Sequence, residues 1–352
     1  MAVGAFAADG FVGARTCRTC HAAQFERQAA SGHARTLQRA ADFSLPAPLA
    51  GFSALRNGFE FSTGNQGGAP YFRIHDPRAA GAGLDIPLHW TFGSGTHGVT
   101  FVSRLSPGTY LEHAFSYYAG PKRFDLTPGH RRLPSRTAAE AAGQTFRIGG
   151  SGGGAVIRCF QCHSTGPASV SASRQEILVT EQGVRCEVCH GAGERHVRAA
   201  AARNSGQIRS TIRNPGTLPA SEVLNLCGTC HRPADGRDAP NDFADPWNVR
   251  HQPPYLQQSK CFQASADRLS CFRCHPPHEP LRRSDPGYYR QQCLGCHESA
   301  GGKAPSTVCL AADPRPDCTA CHMPAVAPDP NLRFRNHWIG VYRAGAPLVP
   351  SR

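Results

Sequence analysis

Seven copies of the pentapeptide Cys-x-x-Cys-His most strongly constrain how this 352-residue chain can fold. Their cysteine pairs use 14 of the 16 cysteines: Cys17 and Cys20, Cys159 and Cys162, Cys186 and Cys189, Cys227 and Cys230, Cys271 and Cys274, Cys293 and Cys296, Cys318 and Cys321. The histidines that close the motifs are His21, His163, His190, His231, His275, His297 and His322.

The spacing of each motif has a chemical reason. The two thiols lie close enough together to add to the two vinyl groups of one porphyrin, and the next histidine then supplies the proximal iron ligand. Four-cysteine zinc sites do not explain a histidine after every second cysteine. A thioredoxin-like site needs one Cys-x-x-Cys pair beside a βαβ unit, not seven pairs. The sequence therefore predicts seven covalently attached haem c groups.

The spacing of the motifs predicts the fold class. Six motifs fall within the last 194 residues, about 32 residues for each haem, which is too few for an ordinary hydrophobic core. We expect the porphyrins to form that core, in a mostly α multihaem cytochrome c array with little regular structure. The length favours about two domains.

The motifs divide the chain into three parts. Residues 8–45 form a first haem segment, and residues 17–41 are predicted to be helical. Residues 46–148 contain no motif but carry aromatic and β-branched runs bounded by turn residues, which predicts a small antiparallel β-rich insert. Within it, 84–92, 98–105 and 110–118 resemble a meander. Residues 149–352 form a six-haem domain that begins with the linker GGSGGG.

The net charge of +13 resembles that of a nucleic-acid-binding protein. Each ferric haem, however, adds about −1 through its propionates, so seven haems reduce the total to about +6 and full reduction brings it to about −1. We therefore expect no nucleic-acid partner. Exported or membrane-bound redox proteins are the expected partners, and an oligomer is left open.

Covalent haem attachment predicts the compartment. In bacteria this attachment is completed outside the cytoplasmic membrane, so a periplasmic or extracellular location is expected, with any membrane association made through a partner. No run of 18 apolar residues is present. Residues 5–8 (AFAA) match the small-residue end of a secretory signal or an ordinary flexible terminus.

Ten histidines outside the motifs supply candidates for distal ligands, and methionine is nearly absent. His33 follows the first motif by one predicted helix. His196 follows His190 by six residues, His278 follows His275 by three, and His337 comes after the last motif. His97 lies among glycines and is a further candidate. His130 and His251 are weaker ones, and His75, His89 and His113 fit ordinary strand positions. Histidine ligation on both faces predicts low potentials.

The two remaining cysteines, Cys261 and Cys309, are either a disulfide in an exported protein or two buried thiols. Their separation in space cannot be read from sequence.

Several segments resemble one superfamily of multihaem cytochromes. FVGARTCRTCHAAQFERQAASGHART resembles the first-haem segment of cytochromes related to the tetrahaem cytochrome of ammonia oxidisers, and GVRCEVCHGAGERHV resembles a later segment there. CFRCHPPHEP, DCTACHMP and FRNHWIG look like closing segments of cytochrome c nitrite reductases and hydroxylamine oxidoreductases. The resemblance covers residues 11–40 and about 155–340, and it implies distal ligands at His33, His196, His278 and His337.

The chain also departs from these relatives. It has no Cys-x-x-Cys-Lys motif of the nitrite reductases, and nothing marks Tyr255, Tyr288 or Tyr289 as the cross-linked tyrosine of the hydroxylamine oxidoreductases. The sequence therefore favours an electron carrier over an enzyme. A reductase or oxidoreductase acting on a small nitrogen or sulfur species at one five-coordinate haem remains the alternative. A third interpretation is a non-catalytic module that docks through the insert.

Overall fold

The computed structural model describes residues 10–43, 51–81, 83–133, 135–148, 154–236, 241–297 and 317–351. Cys309 lies outside them, so the interpretation of the two extra cysteines stays a prediction. The chain forms two compact units, Met1–Arg213 and Asn214–Arg352. The predicted six-haem domain, residues 149–352, is thus divided between the units. In the described parts, no helix is long and apolar enough to cross a membrane.

The first unit contains two antiparallel sheets. A six-stranded sheet has the order β1-β6-β7-β8-β10, with β9 paired to β8, and a four-stranded sheet has the order β2-β3-β4-β5. The strands are β1 (Leu37–Arg39), β2 (Ser53–Arg56), β3 (Phe59–Gln66), β4 (Ala69–His75), β5 (Leu84–Pro87), β6 (Trp90–Phe92), β7 (Gly98–Ser106), β8 (Thr109–Tyr118), β9 (Arg123–Leu126) and β10 (Gly143–Arg147).

The alternating apolar residues of these strands form a core between the two sheets. Phe61 and Phe72 of the smaller sheet pack in one buried cluster with Phe101, Leu111 and Phe115 of the larger sheet. Burying a large apolar side chain stabilises a fold by about 1.5–3 kcal/mol. The insert therefore carries a hydrophobic core made of its own side chains.

The opposite face of the six-stranded sheet packs against the second motif. Trp90, Phe92 and Tyr110 share a buried cluster with Val156 and Phe160 of the helix that ends at His163. Four short strands then lead to the third motif: β11 (Ser164–Thr165), β12 (Ser169–Val170), β13 (Ile177–Leu178) and β14 (Glu181–Gln182). β12 and β13 form a hairpin, and β11 and β14 pair outside it.

Both units also contain short helices, and some of these helices carry the haem motifs. In the first unit they are α1 (Ala14–Arg18), α2 (Ala22–Ala29), α3 (Ala138–Ala142), α4 (Gly154–His163), α5 (Cys186–His190), α6 (Glu194–Ala201) and α7 (Ser205–Ser210). In the second unit they are α8 (Ala220–His231), α9 (Gln252–Gln257), α10 (Lys260–Gln263), α11 (Cys271–Cys274), α12 (Pro286–His297) and α13 (Cys318–His322). The second unit ends in a hairpin of β15 (Ala325–Asp329) and β16 (Leu332–Arg335).

The fold corrects parts of the sequence interpretation. The mostly α prediction with little regular structure holds only in part, because several antiparallel sheets accompany the helices. The helix predicted over 17–41 is wrong beyond the turn at His33–Arg35, since Leu37–Arg39 pairs with Trp90–Phe92. The meander prediction is correct for β6, β7 and β8, which are consecutive neighbours in the six-stranded sheet. Residues 84–87 form β5, which belongs to the four-stranded sheet instead.

Candidate functional site

Each of the seven motifs lies on a helix or at the end of one. α4, α8 and α12 end at the motif histidine, and α5 and α13 consist of the motif alone. The first motif spans the end of α1, and the fifth spans α11 and the next residue. Residues three apart in a helix share one face, so both thiols of a motif are presented on the same side, as attachment to one porphyrin requires.

Five candidate ligands have their ring Nδ1 held by a backbone carbonyl. Among the motif histidines, His163 Nδ1 lies 3.0 Å from the carbonyl oxygen of Thr36. His190 Nδ1 lies 2.9 Å from that of Arg213, and His322 Nδ1 lies 2.8 Å from that of Gly340. Among the distal candidates, the distances are 2.8 Å from His196 Nδ1 to the Ile208 oxygen and 2.9 Å from His337 Nδ1 to the Arg335 oxygen. A carbonyl accepts only, so each Nδ1 carries the proton and Nε2 keeps a lone pair for a metal.

Two motif histidines lie opposite distal candidates at a distance suited to one iron. The ring centroids of His21 and His196 are 6.3 Å apart, with 23° between the ring planes. Those of His275 and His337 are 6.2 Å apart, with 42° between the planes. Metal–imidazole bonds of about 2.0–2.1 Å on both sides of one ion separate two centroids by about 6.3 Å. Both pairs therefore fit an iron held between two imidazoles.

His33 begins a single helical turn after α2 and is held from both sides. Its carbonyl accepts the Thr36 amide at 3.3 Å and the Val184 amide at 2.9 Å. Gly183 has φ +76°, and any side chain there would collide with the Ala34 carbonyl, so glycine permits this close approach. Burial lowers the pKa of His33, which favours the neutral, metal-binding ring.

The remaining candidates lie on loops or at helix ends. His278 lies in the turn after α11, and His97 lies between β6 and β7 with its carbonyl bound to the Ala119 amide at 2.8 Å. His231 and His297 end α8 and α12. Iron ligation by His97 and His278 stays a prediction.

Histidines of the insert have partners within the sheets. His113 Nε2 lies 2.7 Å from Ser103 Oγ, and burial lowers its pKa to about 3. His130 Nε2 lies 2.9 Å from a Glu112 oxygen. His89 Nδ1 accepts the Arg104 amide at 3.2 Å, which places the neutral-ring proton on Nε2. These contacts fit ordinary sheet histidines.

The motif thiols meet in three pairs within the units. A hydrogen bond with Cys186 raises the pKa of the Cys17 thiol, and burial raises it further. A hydrogen bond with Cys271 likewise raises the pKa of Cys227. Burial raises the pKa of Cys293 to about 12, with a smaller contribution from a hydrogen bond with Cys318. Motifs one and three, four and five, and six and seven are therefore neighbours.

A cavity of about 700 Å³ lies beside the first motif. It is lined by Arg15, Arg18, Thr19, Ala22, Phe25 and Glu26. Ala22 and Phe25 suit a porphyrin face, and Arg15 and Arg18 suit its propionates. The donor set, the histidine spacing and this lining all fit a c-type haem.

Sequence reasoning missed two functional features of the site. Phe160, inside the second motif, is fully buried, and Glu187, inside the third, is 3% exposed. The two variable positions of a Cys-x-x-Cys-His motif carry no signal for burial, so nothing in the sequence marked either residue.

Comparisons with known proteins support the haem assignment. A family model described as cytochrome c554 and c-prime matches residues 136–191, which include the second and third motifs. The seven motifs together with this match support a multihaem c-type cytochrome. The narrower superfamily stays a prediction. No curated protein matches the chain.

Two solved structures are similar to this chain. One is the outer cell wall cytochrome OcwA, with 14% identity, a TM-score of 0.48, and coverage of 94% of this chain and 79% of that one. The other is an undecahaem cytochrome from the S-layer of Carboxydothermus ferrireducens, with 16% identity, a TM-score of 0.45 and coverage of 90% of this chain. This chain spans 51% of the length of the second structure.

Proposed function

We propose that the chain is an exported seven-haem cytochrome that carries electrons along closely spaced, mostly bis-histidine haems. The single observation that carries this proposal is the separation of two histidine pairs, His21 with His196 at 6.3 Å and His275 with His337 at 6.2 Å. In each pair one ring belongs to an attachment motif and the other follows a different motif. Such pairs hold an iron on both faces and leave no open coordination position for substrate.

The chain's own residues fix the ligand rings. A bound haem supplies a one-electron iron couple, and the protein sets its potential through ligation, burial and charge. The carbonyls of Ile208 and Arg335 accept the Nδ1 protons of His196 and His337, which holds ring orientation and makes Nε2 more basic. A more basic ligand favours the oxidised iron, so these contacts support low potentials.

The pairing of motif thiols supports short electron steps. Cys17 adjoins Cys186, and Cys227 adjoins Cys271. In the mature protein each thiol is bonded to its own porphyrin edge, so neighbouring thiols bring two porphyrin edges together. Export is supported by the chemistry of covalent haem attachment, and redox proteins of the same compartment are the proposed partners.

The test combines a haem count with two ligand variants. Intact mass should exceed that of the apoprotein by seven haem masses. His196→Ala and His337→Ala should each convert one low-spin haem to high-spin in visible and electron paramagnetic resonance spectra, with attachment retained. His75→Ala is the matched control, because His75 contacts Glu60 at 3.2 Å and is partly exposed. Fewer haems in mature protein, or unchanged spectra in both ligand variants, would contradict the proposal.

One observation favours a second function, reduction of a small nitrogen or sulfur species at a five-coordinate haem. Burial lowers the pKa of His251 to about 4, and the charges of Arg250, Arg232 and His231 lower it further. Two arginines and a histidine therefore lie near the fourth motif, where they suit an anionic substrate. Steady-state turnover of nitrite, hydroxylamine or tetrathionate that is lost in Arg250→Met would favour this function over electron transfer alone.

A further inference from the structure

The Glu187 side chain joins the first motif to the third. Its Oε1 accepts the amide protons of Val12 at 2.9 Å and Gly193 at 2.7 Å, and its Oε2 accepts that of Gly13 at 2.8 Å. Val12 and Gly13 lead directly into α1, whereas Glu187 lies within α5. Three backbone amides separated from each other by up to 181 residues thus meet on one carboxylate.

The carboxylate of Glu187 suits these three contacts. All three partners of Glu187 are donors, and an acceptor-only group satisfies them without competition. Because Glu187 is 3% exposed, its charge is poorly screened by water or salt.

The same junction contains the attachment cysteines of two motifs. A hydrogen bond with Cys186 raises the pKa of the Cys17 thiol most, followed by burial and then by the charges of Cys186, Glu187 and Glu181. Glu181 reinforces the link, since both its oxygens lie 3.2 Å from the Ala14 amide. Arg185 Nε lies 3.9 Å from Glu181 Oε1. The negative charge therefore lies beside the thiols of the first and third motifs.

We propose that Glu187 positions the first motif against the third and lowers the reduction potentials of the haems attached there. This inference rests on the proposed electron-transfer function. A fixed negative charge favours ferric over ferrous iron by Coulomb interaction, and the effect is larger in a buried site than in water. Haems held at these two motifs would then give up an electron more readily than they would without this charge.

The test compares removal of the charge with its retention. In spectroelectrochemical titrations of the mature protein, Glu187→Gln should raise two midpoint potentials by about 59 mV each. For a one-electron couple, this shift corresponds to about a tenfold change in the ratio of oxidised to reduced haem. Glu187→Asp keeps the charge and should restore values near those of the wild type. Glu26→Gln is the matched control, because its carboxylate is 58% exposed beside the same motif and pairs with Arg18 at 2.8 Å.

Two results would overturn the inference. The first is that the midpoint potentials of Glu187→Gln equal those of the wild type while all haems are attached. The second is that the Gln and Asp variants shift the midpoint potentials equally, which would indicate a purely structural role. If Glu187→Gln does not bind its haems, Glu181→Gln is measured instead, because it removes the neighbouring carboxylate and leaves the three hydrogen bonds of Glu187. Unchanged midpoint potentials in Glu181→Gln would then refute the proposed effect of negative charge at this junction. Failure of the proposed function itself appears earlier, as missing haems or an irreversible titration in wild-type protein.

Discussion

Replacing Phe160 with alanine removes the side chain that joins the second haem motif to the six-stranded sheet. Phe160 is fully buried. Its ring centroid lies 5.5 Å from that of Trp90, 5.0 Å from Phe92 and 6.2 Å from Tyr110, all in edge-to-face geometry. Phe92 also contacts the ring of His163, with 5.3 Å between the ring centroids, so the loss of the Phe160 ring reaches a predicted iron ligand.

The magnitude follows from burial and packing. Core Phe→Ala substitutions cost about 3–5 kcal/mol, and a site lined by rigid aromatic rings falls in the upper half of that range because it collapses poorly. In a unit of 213 residues, 1 kcal/mol shifts the melting temperature by about 2–4 °C. We therefore expect Phe160→Ala to melt the first unit about 8–20 °C lower.

The assay is thermal unfolding followed by far-ultraviolet circular dichroism and by the haem absorption band, at equal haem content. Phe272→Ala is the matched control, because Phe272 occupies the same position in the fifth motif but is only partly buried. Phe272→Ala should lower the melting temperature by less than half as much as Phe160→Ala. A melting temperature within 2 °C of wild type for Phe160→Ala, about 1 kcal/mol or less, would refute the packing of this motif on the sheet.

Three further predictions concern ligands, a buried cation and pH. His33→Ala and His278→Ala should each convert one low-spin haem to high-spin, and an unchanged resonance spectrum would remove that residue from the ligand set. Arg56→Leu should destabilise the insert by about 1–3 kcal/mol in urea unfolding, since its guanidinium donates to two buried carbonyls. Burial lowers the pKa of His113 from 6.5 to about 3, so its contribution to stability is fully present above pH 6.5 and is lost as pH falls toward 3. Melting temperatures measured across that window should fall less steeply in His113→Gln, and an equal slope would contradict this assignment.

The sequence predicted the features that depend on local patterns. Alternating aromatic residues such as Phe59 and Phe61 predicted the strands of the insert, and β3 confirms them. The motif spacing predicted that both cysteine thiols of a motif lie close together on one side, and the short helices place them there. These features follow from periodicity within a few residues, which a single sequence records.

Features that depend on distant partners could not be predicted. Leu37 continues a helical pattern, yet it pairs with Phe92 at the edge of a sheet because tertiary pairing outweighs a weak local preference. His196 follows His190 closely in the sequence, but this position does not indicate that its ring lies opposite the ring of His21. The pairing depends on how α1 and α6 are brought together, and no local signal encodes that.

The distance along the chain between Val12 and Glu187 has a consequence in time. Their bond closes a separation of 175 residues. At a synthesis rate of about 5–20 residues per second, the first motif is made about 10–35 s before the carboxylate that holds it. During that interval its thiols and His21 lack the third motif as a neighbour. The compact arrangement of these two motifs therefore forms only after most of the unit has been made.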